Sequence, residues 1–473
     1  MRPLDLLRVP VLGAVLGWRH LRVTAQWLML AVAGVIVLHG LVGPQLAPKN
    51  LATILTWVHY RGLLVAVLVL GGNFFCGACP LVLVRNAVRR FVQPVRRFPR
   101  RLRNKWLSIG LLVSMLFAYE AFDLWSAPAA TAGLILAYFA AAVLVDVVFE
   151  RAAFCKYVCP IGQFSFVAST VSPLEVTMRE PEVCASCTTA DCVGGRRSER
   201  EPEKIVRRGC ELDLYLPTKV GNLDCTFCLD CVHACPHDNV ALTARMPADE
   251  LVADPVRSSL GRLSRRRDLS VLVLVFAFGA LLNAFGLVSP VYAFQRWLAG
   301  VLATDSEVLV LGALFTLGLV VEPLLWLGLT GFVALRLARS SQGVARHVAR
   351  FAFAFAPIGV GVWAAHYAFH LLTGLWTFVP VAQRAARETG LELGEPMWGR
   401  GGLTEAAVLP IETGLLVLGL AGSLAVAAGL ARRDFGDRWK AALLPWGATL
   451  VVFFAAAVWL MRQPMEMRGT FLG

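Results

Sequence analysis

Residues 129–160 read AATAGLILAYFAAAVLVDVVFERAAFCKYVCP, an apolar run of helical length that ends at two cysteines and a proline. About 20 consecutive apolar residues are needed to cross the hydrocarbon core of a bilayer as a helix. Residues 54–80 show the same arrangement, with an apolar run that ends in Cys76-Gly-Ala-Cys79-Pro80. This loose duplication predicts a membrane helix bundle in which pairs of thiols lie at helix ends.

The remainder of the 473-residue chain has the same apolar character, with 57% hydrophobic and 16% charged residues. Soluble proteins average roughly 45–50% apolar and about 25% charged residues, so a soluble globular chain is excluded. The same composition excludes disorder over most of the chain. Nine segments are predicted to span a membrane: 24–43, 54–73, 107–126, 129–149, 269–290, 307–335, 350–378, 407–430 and 441–461.

The distribution of cations predicts the direction of these spans. With the N-terminus inside, the inner segments hold 37 Lys and Arg residues and the outer segments hold seven. Because loops rich in Lys and Arg stay in the cytoplasm, we expect a multi-pass protein of the bacterial cytoplasmic (inner) membrane with a cytoplasmic N-terminus. This topology accounts for the net charge of +13 without nucleic acid as a partner. The nine cations from Arg85 to Lys105 are predicted to rest on anionic membrane lipid.

These features divide the chain into four predicted parts. Residues 1–23 are an interfacial segment on the cytoplasmic side, and residues 24–173 are a four-span domain with the two Cys-Pro motifs. Residues 174–265 are a polar cytoplasmic domain with eight of the twelve cysteines, and residues 266–473 are a five-span domain. The predicted fold class is therefore mainly α, a polytopic helix bundle with a small inserted α+β ferredoxin-like domain.

The inserted domain contains the most specific motif, Cys225-Thr-Phe-Cys228-Leu-Asp-Cys231-Val-His-Ala-Cys235-Pro236. This spacing binds a [4Fe–4S] cluster in bacterial ferredoxins, where the fourth cysteine serves the other cluster. An earlier, irregularly spaced set comprises Cys184, Cys187, Cys192 and Cys210. The crossed pattern predicts two clusters, one on Cys184, Cys187, Cys192 and Cys235, the other on Cys210, Cys225, Cys228 and Cys231. The alternatives are a zinc knuckle at the run, or one cluster beside a zinc site.

Four further cysteines, called here the helix-end cysteines, follow the second and fourth spans: Cys76, Cys79, Cys155 and Cys159. Four thiols at one depth of the membrane suit a third iron–sulfur centre, a soft Cu(I) site or two dithiol switches. These alternatives stay open. Asp146 and Glu150 lie one to two helical turns before Cys155, where they are placed to tune such a centre.

Four histidines lie in the predicted outer halves of the spans: His39, His59, His366 and His370. Ionisable residues at membrane depth are costly and mark candidate functional sites. His366 and His370, at positions i and i+4, share one helix face and cannot be the two axial ligands of one haem. Each can pair with His39 or His59 around a b-type haem. Binding of copper, hydrogen bonding to a quinone, and histidines satisfied by neighbouring helices are the alternatives.

Two charged residues near the middles of spans complete the candidates. Arg61 lies in the second span, and Glu322 in the sixth. A buried guanidinium and a buried carboxylate are predicted to form a structural ion pair, with a proton relay as the alternative.

The cysteine motifs resemble the membrane polyferredoxin family typified by NapH, the C-terminal half of NosR and the FixG/CcoG proteins. The resemblance covers residues of about 50–245 and carries over to Cys76, Cys79, Cys155, Cys159 and the run Cys225–Cys235. It implies electron transfer between a quinol pool or a cytoplasmic donor and a membrane or periplasmic acceptor. Two features depart from the family pattern: the first Cys-Pro motif is one residue short, and the first ferredoxin set is irregular.

The predicted function is membrane-bound iron–sulfur electron transfer with a quinone or a redox protein as partner, in an oxidoreductase-type subunit. One alternative is a copper or metal reductase that assists assembly of a respiratory enzyme. Another is a transporter or structural subunit with a redox sensor. The basic stretch that begins at Arg196 and ends at Arg208 is predicted to be a solvated loop or a docking site for an acidic electron donor. No phosphate-binding or dinucleotide motif follows a predicted strand.

Overall fold

The computed structural model describes residues 4–201 and 203–465. The ends of the predicted interfacial segment and five-span domain, residues 1–3 and 466–473, lie outside this part. Nine long apolar helices are labelled in chain order: α1 Leu21–Val42, α2 Leu51–Leu70, α3 Trp106–Ala121, α4 Pro128–Val148, α5 Arg267–Phe285, α6 Glu307–Leu337, α7 Val344–Thr373, α8 Glu405–Phe435 and α9 Trp439–Met461.

Within the described residues, seven helical stretches are long and apolar enough to cross a membrane. The last of them, Glu405–Met461, contains both α8 and α9, and the chain turns between them at Gly436, where φ is 51°. Two helices are shorter than their predicted spans. Helix α3 has 16 residues, because a turn that contains Asp123 follows it, and α5 has 19 residues. The prediction of a mainly α, polytopic helix bundle is confirmed.

The described residues form two compact units. The first unit contains the residues up to Gly34, Val67–Ser108 and Leu136–Arg266, and therefore all twelve cysteines. The second unit contains Val35–Ala66, Ile109–Ile135 and the residues from Arg267 onward. Helices α1 to α4 each contribute residues to both units, so the four-part division along the chain stays a prediction.

The first unit contains the strands of the inserted segment. Strand β1, Leu174–Met178, pairs antiparallel with β4, Val240–Ala244, and closes the segment with eight cysteines. Strands β2, Arg196–Arg197, and β3, Ile205–Arg207, form a separate hairpin. Three short helices lie between β1 and β4: Pro181–Ala185, Asp191–Gly194 and Asp230–Ala234.

The N-terminal segment attaches to the edge of this small sheet. The Asp5 carboxylate accepts hydrogen bonds from the Leu242 backbone N–H (3.2 Å) and from Arg179 Nε (2.8 Å). The helix Pro10–Leu16 follows, and its Val11 side chain is 79% exposed. An apolar side chain in this position is what the predicted interfacial segment requires.

The second unit is organised around α7, whose residues are mostly buried. Trp446 of α9 is fully buried and stacks on Phe351 at 5.0 Å between ring centroids. Helices α7 and α8 approach closely because their contact is made by small residues. A Cβ added at Gly361 would lie 3.0 Å from the Leu415 carbonyl oxygen, and one at Gly419 would lie 3.0 Å from that of Pro357.

We expect Gly419→Leu to lower the melting temperature of the purified protein in detergent, because α7 and α8 must separate to admit the side chain. Overpacking of this kind typically costs about 1–3 kcal/mol. Gly414→Leu on the same helix is the matched control, since an added Cβ there meets no atom within 4 Å. Equal melting temperatures for the two variants would contradict the close contact.

Candidate iron–sulfur centres

The first candidate centre is an open pocket of about 360 Å³ in the inserted segment. Four cysteines line it: Cys184, Cys187, Cys192 and Cys235. Asn239 connects two of them, because its backbone N–H donates to Cys235 Sγ (3.4 Å) and its Nδ2 donates to Cys184 Sγ (3.2 Å). Ala190, with a φ of 50°, turns the chain between Cys187 and Cys192 so that both reach the pocket.

The second candidate centre is a pocket of about 410 Å³. Its cysteines are Cys210, Cys225, Cys228 and Cys231. Phe227 and Leu229 adopt left-handed backbone conformations, with φ values of 50° and 58°, which wrap the loop around the pocket. Burial raises the pKa of the Cys210 thiol to about 11. A thiol of this kind stays protonated when free, and binding of a metal must displace its proton.

The eight cysteines are divided between the two pockets in the crossed arrangement that their spacing in the sequence predicts. Among the described residues, no group of three or more His, Cys, Asp or Glu side chains converges closely enough to bind a single metal ion. A zinc ion needs four ligands at about 2.3 Å for sulfur. The cysteines of a cubane each bind a different iron and therefore stay farther apart. Each pocket thus presents four cysteines, the donor set that a [4Fe–4S] cluster requires.

The helix-end cysteines occupy corresponding positions in two local motifs. Cys79 and Cys159 are N-cap residues of the helices Pro80–Val88 and Pro160–Ala168, each with proline at the first helical position. Proline is preorganised for that position and lacks an N–H group that would be unsatisfied there. The Gly162 backbone N–H donates to Cys159 Sγ (3.2 Å).

Cys79 and Cys159 each lie within electrostatic range of the other three helix-end thiols. Cys76 interacts with Cys79 and Cys159, and Cys155 interacts with the same two thiols. Cys155 lies in the π-helical turn Phe154–Val158. Such wide turns are frequent at functional sites. The structure therefore brings together the four cysteines that the two Cys-Pro motifs predicted as one group.

The first Cys-Pro motif, which ends at Pro80, packs directly on the loop that contains Cys225 and Cys228 of the second pocket. Asn73 Nδ2 donates to the Cys225 carbonyl oxygen (3.0 Å), and the Phe74 and Phe227 rings meet edge-on at 5.2 Å. A Cβ added at Gly77 would lie 3.0 Å from the Phe227 carbonyl oxygen, so a larger residue would crowd this approach. Arg22 donates to the Gly77 carbonyl oxygen (3.3 Å) and to Asp230 of the cysteine run.

The second motif is held to the same pocket by a buried ion pair. Lys105 is 1% exposed and Asp224, which precedes Cys225, is 2% exposed. Lys105 Nζ donates to Asp224 Oδ1 (2.8 Å) and to the Lys156 carbonyl oxygen (2.9 Å). Lys156, between Cys155 and Cys159, donates in turn to the Leu212 carbonyl oxygen (2.7 Å).

A second buried network centres on Arg85, which is also 1% exposed. Its guanidinium donates to Glu211 Oε2 (2.7 Å) and to Asp146 Oδ2 (3.4 Å). Burial would raise the pKa of Glu211, but Arg85 overrides burial and lowers the pKa to about 2. Asp146 Oδ1 accepts the Phe154 backbone N–H (2.8 Å), so the network joins the helix-end motif to the residue after Cys210.

These networks correct one prediction. The stretch from Arg85 to Lys105 is not a uniform lipid-facing surface, because its first and last cations are buried in ion pairs within the first unit. Arg97, by contrast, is 81% exposed and pairs with Glu150 at 3.6 Å. Nothing in the local sequence distinguishes the buried cations from their exposed neighbours. The partners lie far along the chain, so sequence reasoning missed them.

The four histidines all belong to the second unit. His39 Nδ1 accepts the Leu51 backbone N–H (3.1 Å). Both ring nitrogens of His59 lie at backbone carbonyl oxygens, of Ile54 (3.1 Å) and Leu375 (3.2 Å), which leaves neither available to a metal. The rings of His366 and His370 are 4.9 Å apart. Among the described residues, both nitrogens of His366 and Nε2 of His370 are buried without a hydrogen-bond partner.

Arg61 lies beside this histidine pair. Its guanidinium is 4.7 Å from the centroid of the Tyr367 ring and donates to the Tyr119 hydroxyl (3.2 Å). The Tyr367 ring is 5.4 Å from that of His366. The predicted ion pair with Glu322 is wrong, because the Glu322 side chain is exposed and Arg61 is enclosed by aromatic rings.

Comparison with known proteins identifies the region of the helix-end motifs. The 4Fe-4S binding domain family matches residues 53–101 and 131–169. Ferredoxin-type protein NapH of Escherichia coli K12 is 26% identical over 189 residues, which cover 37% of this chain and 63% of NapH. An uncharacterized protein of Methanocaldococcus jannaschii is 24% identical over 206 residues, 41% of this chain and 73% of that protein. YccM of Escherichia coli K12, named for electron transport, is 30% identical over 94 residues, 20% of this chain and 22% of YccM. No solved structure matches.

These matches support a membrane polyferredoxin-type family, as the cysteine motifs predicted. They support a multi-pass membrane protein with an iron–sulfur domain and a role in electron transfer. The chain spans 63% of the length of NapH, and the matched family covers the four helix-end cysteines.

We expect Lys105→Met to destabilise the protein by roughly 3–5 kcal/mol, because it leaves the Asp224 carboxylate buried without its partner. Adding Asp224→Asn should recover part of this loss, since asparagine tolerates the left-handed backbone at that position, where φ is 64°. Thermal unfolding in detergent measures both effects. Arg97→Met, which removes an exposed pair, is the control and should change stability by about 1 kcal/mol or less. A Lys105→Met protein as stable as this control would contradict the structural role of the buried pair.

Proposed function

We propose that this chain is a membrane-bound electron-transfer protein whose inserted segment holds two [4Fe–4S] clusters. The observation that carries the proposal is the sorting of eight cysteines into two pockets of four. Cys184, Cys187, Cys192 and Cys235 would hold one cluster, and Cys210, Cys225, Cys228 and Cys231 the other. A bound [4Fe–4S] cluster supplies one-electron redox chemistry whose potential depends on hydrogen bonds to sulfur and on exposure to solvent.

The surrounding residues prepare each pocket for this role. Asn239 donates two hydrogen bonds to cysteine sulfurs of the first pocket, which favours the more negative, reduced state there. Phe227 and Leu229 are buried at the second pocket and exclude water from it. Because hydrogen bonds to sulfur change the potential of a cluster, we expect different potentials for the two centres.

We further propose that the helix-end cysteines form a third metal centre. Three observations support this: the electrostatic interaction of Cys79 and Cys159 with the other helix-end thiols, the N-cap positions of these two residues, and the 4Fe-4S family match over both motifs. The N-terminus of a helix presents free backbone N–H groups, which stabilise a thiolate, the form of cysteine that binds metal. The same observations support a second candidate function, in which these thiols reduce or deliver copper.

Anaerobically purified protein should contain about eight iron and eight sulfide ions for two cubanes, and about twelve of each if the helix-end centre is also a cubane. Cys235→Ala and Cys184→Ala should remove the same electron paramagnetic resonance signal, because both line the first pocket. Cys231→Ala and Cys210→Ala should remove the other signal. Colourless protein that holds zinc and no labile sulfide would contradict the proposal.

The same preparation separates the two candidate functions. If the helix-end centre is an electron carrier, Cys76→Ala and Cys155→Ala should lower the iron content without affecting the signals of the two pockets. Reduction of Cu(II) that is independent of quinol and is lost in both variants would instead favour the copper function.

We propose that a quinone is the membrane partner, with the chain in the bacterial cytoplasmic membrane and the inserted segment in the cytoplasm. A quinone ring carries two carbonyl oxygens that accept hydrogen bonds. The unpartnered ring nitrogens of His366 and His370, the Arg61 guanidinium and the aromatic rings of Tyr119 and Tyr367 suit such a ligand. A cationic guanidinium so close to the histidines disfavours a metal ion between them.

His366→Phe should reduce the quinone extracted from protein in lipid nanodiscs by about tenfold, because it removes hydrogen-bonding groups from the ligand. Chemical reduction of the iron–sulfur absorbance by dithionite should be unchanged, which shows that the first unit is intact. His347→Phe is the control, since His347 is buried in the same unit and already partnered by Trp446 Nε1 (3.0 Å). A haem absorbance band that is lost in His366→Phe would overturn the quinone assignment.

A further inference from the structure

Residues 193–201 and 203–209, between Cys192 and Cys210, form an exposed hairpin that joins the two cysteine pockets. Cys192 lines the first pocket and Cys210 the second. The Cys210 backbone N–H donates to the Cys192 carbonyl oxygen (2.8 Å), which closes the base of the hairpin. Strands β2 and β3 are exposed along their whole length. A protein that binds this hairpin therefore lies beside both pockets.

Two glycines fix the direction of the hairpin at its base. Gly195 has a φ of 83°, and a Cβ added at Gly209 would lie 2.5 Å from the Val193 carbonyl oxygen. Larger residues would force the two strands apart at this point. The two strands are therefore closely packed at the base of the hairpin, next to Cys192 and Cys210.

The hairpin is strongly basic. Its six cations are Arg196, Arg197, Arg200, Lys204, Arg207 and Arg208, against three glutamates at positions 199, 201 and 203. Lys204 pairs with Glu201 at 3.5 Å. In residues 4–201 and 203–465, no carboxylate lies within 4.0 Å of the guanidinium groups of Arg196, Arg200, Arg207 and Arg208. Most of the positive charge is therefore presented to the solvent.

The register of the strands opposes local stability. Arg196 and Arg207 are direct cross-strand partners. Like charges that face each other across a strand pair are destabilising. These two arginines thus weaken the hairpin that carries them, which is expected if their role is to bind a partner and not to stabilise the fold.

Two exposed apolar side chains lie within this basic surface. Ile205 is 50% exposed and Val206 is 48% exposed. Apolar groups surrounded by charged ones have the composition of transient protein interfaces, where the charges steer the encounter and the apolar groups supply contact area.

We propose that residues 193–201 and 203–209 form the docking surface for a small acidic one-electron redox protein of the ferredoxin type. The choice of a redox protein rests on the proposed function, whereas the acidic character of the partner rests on the charge of the hairpin. A membrane surface fits less well, because the hairpin joins the two cysteine pockets, and contact with lipid would give the clusters proposed there neither an electron donor nor an acceptor.

Binding of a purified acidic [2Fe–2S] ferredoxin to the full chain in nanodiscs of uncharged lipid tests the proposal. The affinity should fall by about tenfold or more between roughly 0.05 and 0.5 M salt, because the contact is electrostatic. Arg196→Glu/Arg207→Glu should lower the affinity by at least about tenfold at low salt, and Glu199→Gln/Glu203→Gln should raise it. Arg262→Glu/Arg265→Glu changes two exposed cations of the inserted segment outside the hairpin and is the matched control.

The readout is binding, so it does not depend on loaded clusters, and the iron content of each variant is measured separately. Loss of binding in the hairpin variant alone, with unchanged iron content, supports the proposal. Equal losses in the hairpin and control variants would overturn it. Binding of the basic protein cytochrome c in place of the ferredoxin, or binding of the hairpin to phosphatidylglycerol vesicles and not to ferredoxin, would also overturn it. Protein without iron that still binds the ferredoxin would refute the proposed function and leave the docking surface intact.

Discussion

The buried ion pair between Lys105 and Asp224 is the constraint on which the arrangement of the first unit depends. An amino group and a carboxylate are taken out of water only if each compensates the other. Lys105 precedes the third membrane helix, and Asp224 precedes the first cysteine of the run, so this compensation fixes the run against the helix ends. Arg85 and Glu211 act in the same way beside Cys210. Charge pairing thus fixes the position of the cysteines in a small segment whose apolar core is too small to do so by hydrophobic burial alone.

Around these pairs, backbone geometry determines where the thiols point. Left-handed residues such as Phe227 and Leu229 reverse the chain at short intervals, and the prolines after Cys79 and Cys159 start helices directly behind two thiols. Glycine at position 77 lets the helix-end motif approach the cysteine loop at backbone distance. The three groups of cysteines therefore form parts of one packed unit. In the second unit, by contrast, unpartnered histidines and an arginine among aromatic rings form a separate polar cluster.

Much of this organisation could be predicted from the sequence, because it follows from local rules. The membrane spans follow from runs of about 20 apolar residues. The division of the cysteine run between two pockets follows from its spacing, which lets Cys225, Cys228 and Cys231 reach one cubane but not Cys235. The buried cations could not be predicted, since Lys105 lies in a stretch rich in other cations and its partner lies 119 positions away. Asn239 belongs to no sequence motif, and it reaches the sulfurs of Cys184 and Cys235 only because β1 pairs with β4. The ion pair expected for Arg61 failed because aromatic rings, which no charge pattern reveals, surround it.

The crossed sorting of the cysteines has a consequence for how the protein is made. The first pocket needs Cys235 as well as Cys184, and the strand that closes the segment, β4, ends at Ala244. A nascent chain that has emerged only as far as Cys231 has the thiols of one pocket, yet neither the closing strand nor Asn239 to align the other. If the pockets hold the proposed clusters, the first pocket cannot be filled until translation has passed this point, and Cys184, Cys187 and Cys192 stay without metal until Cys235 has been made.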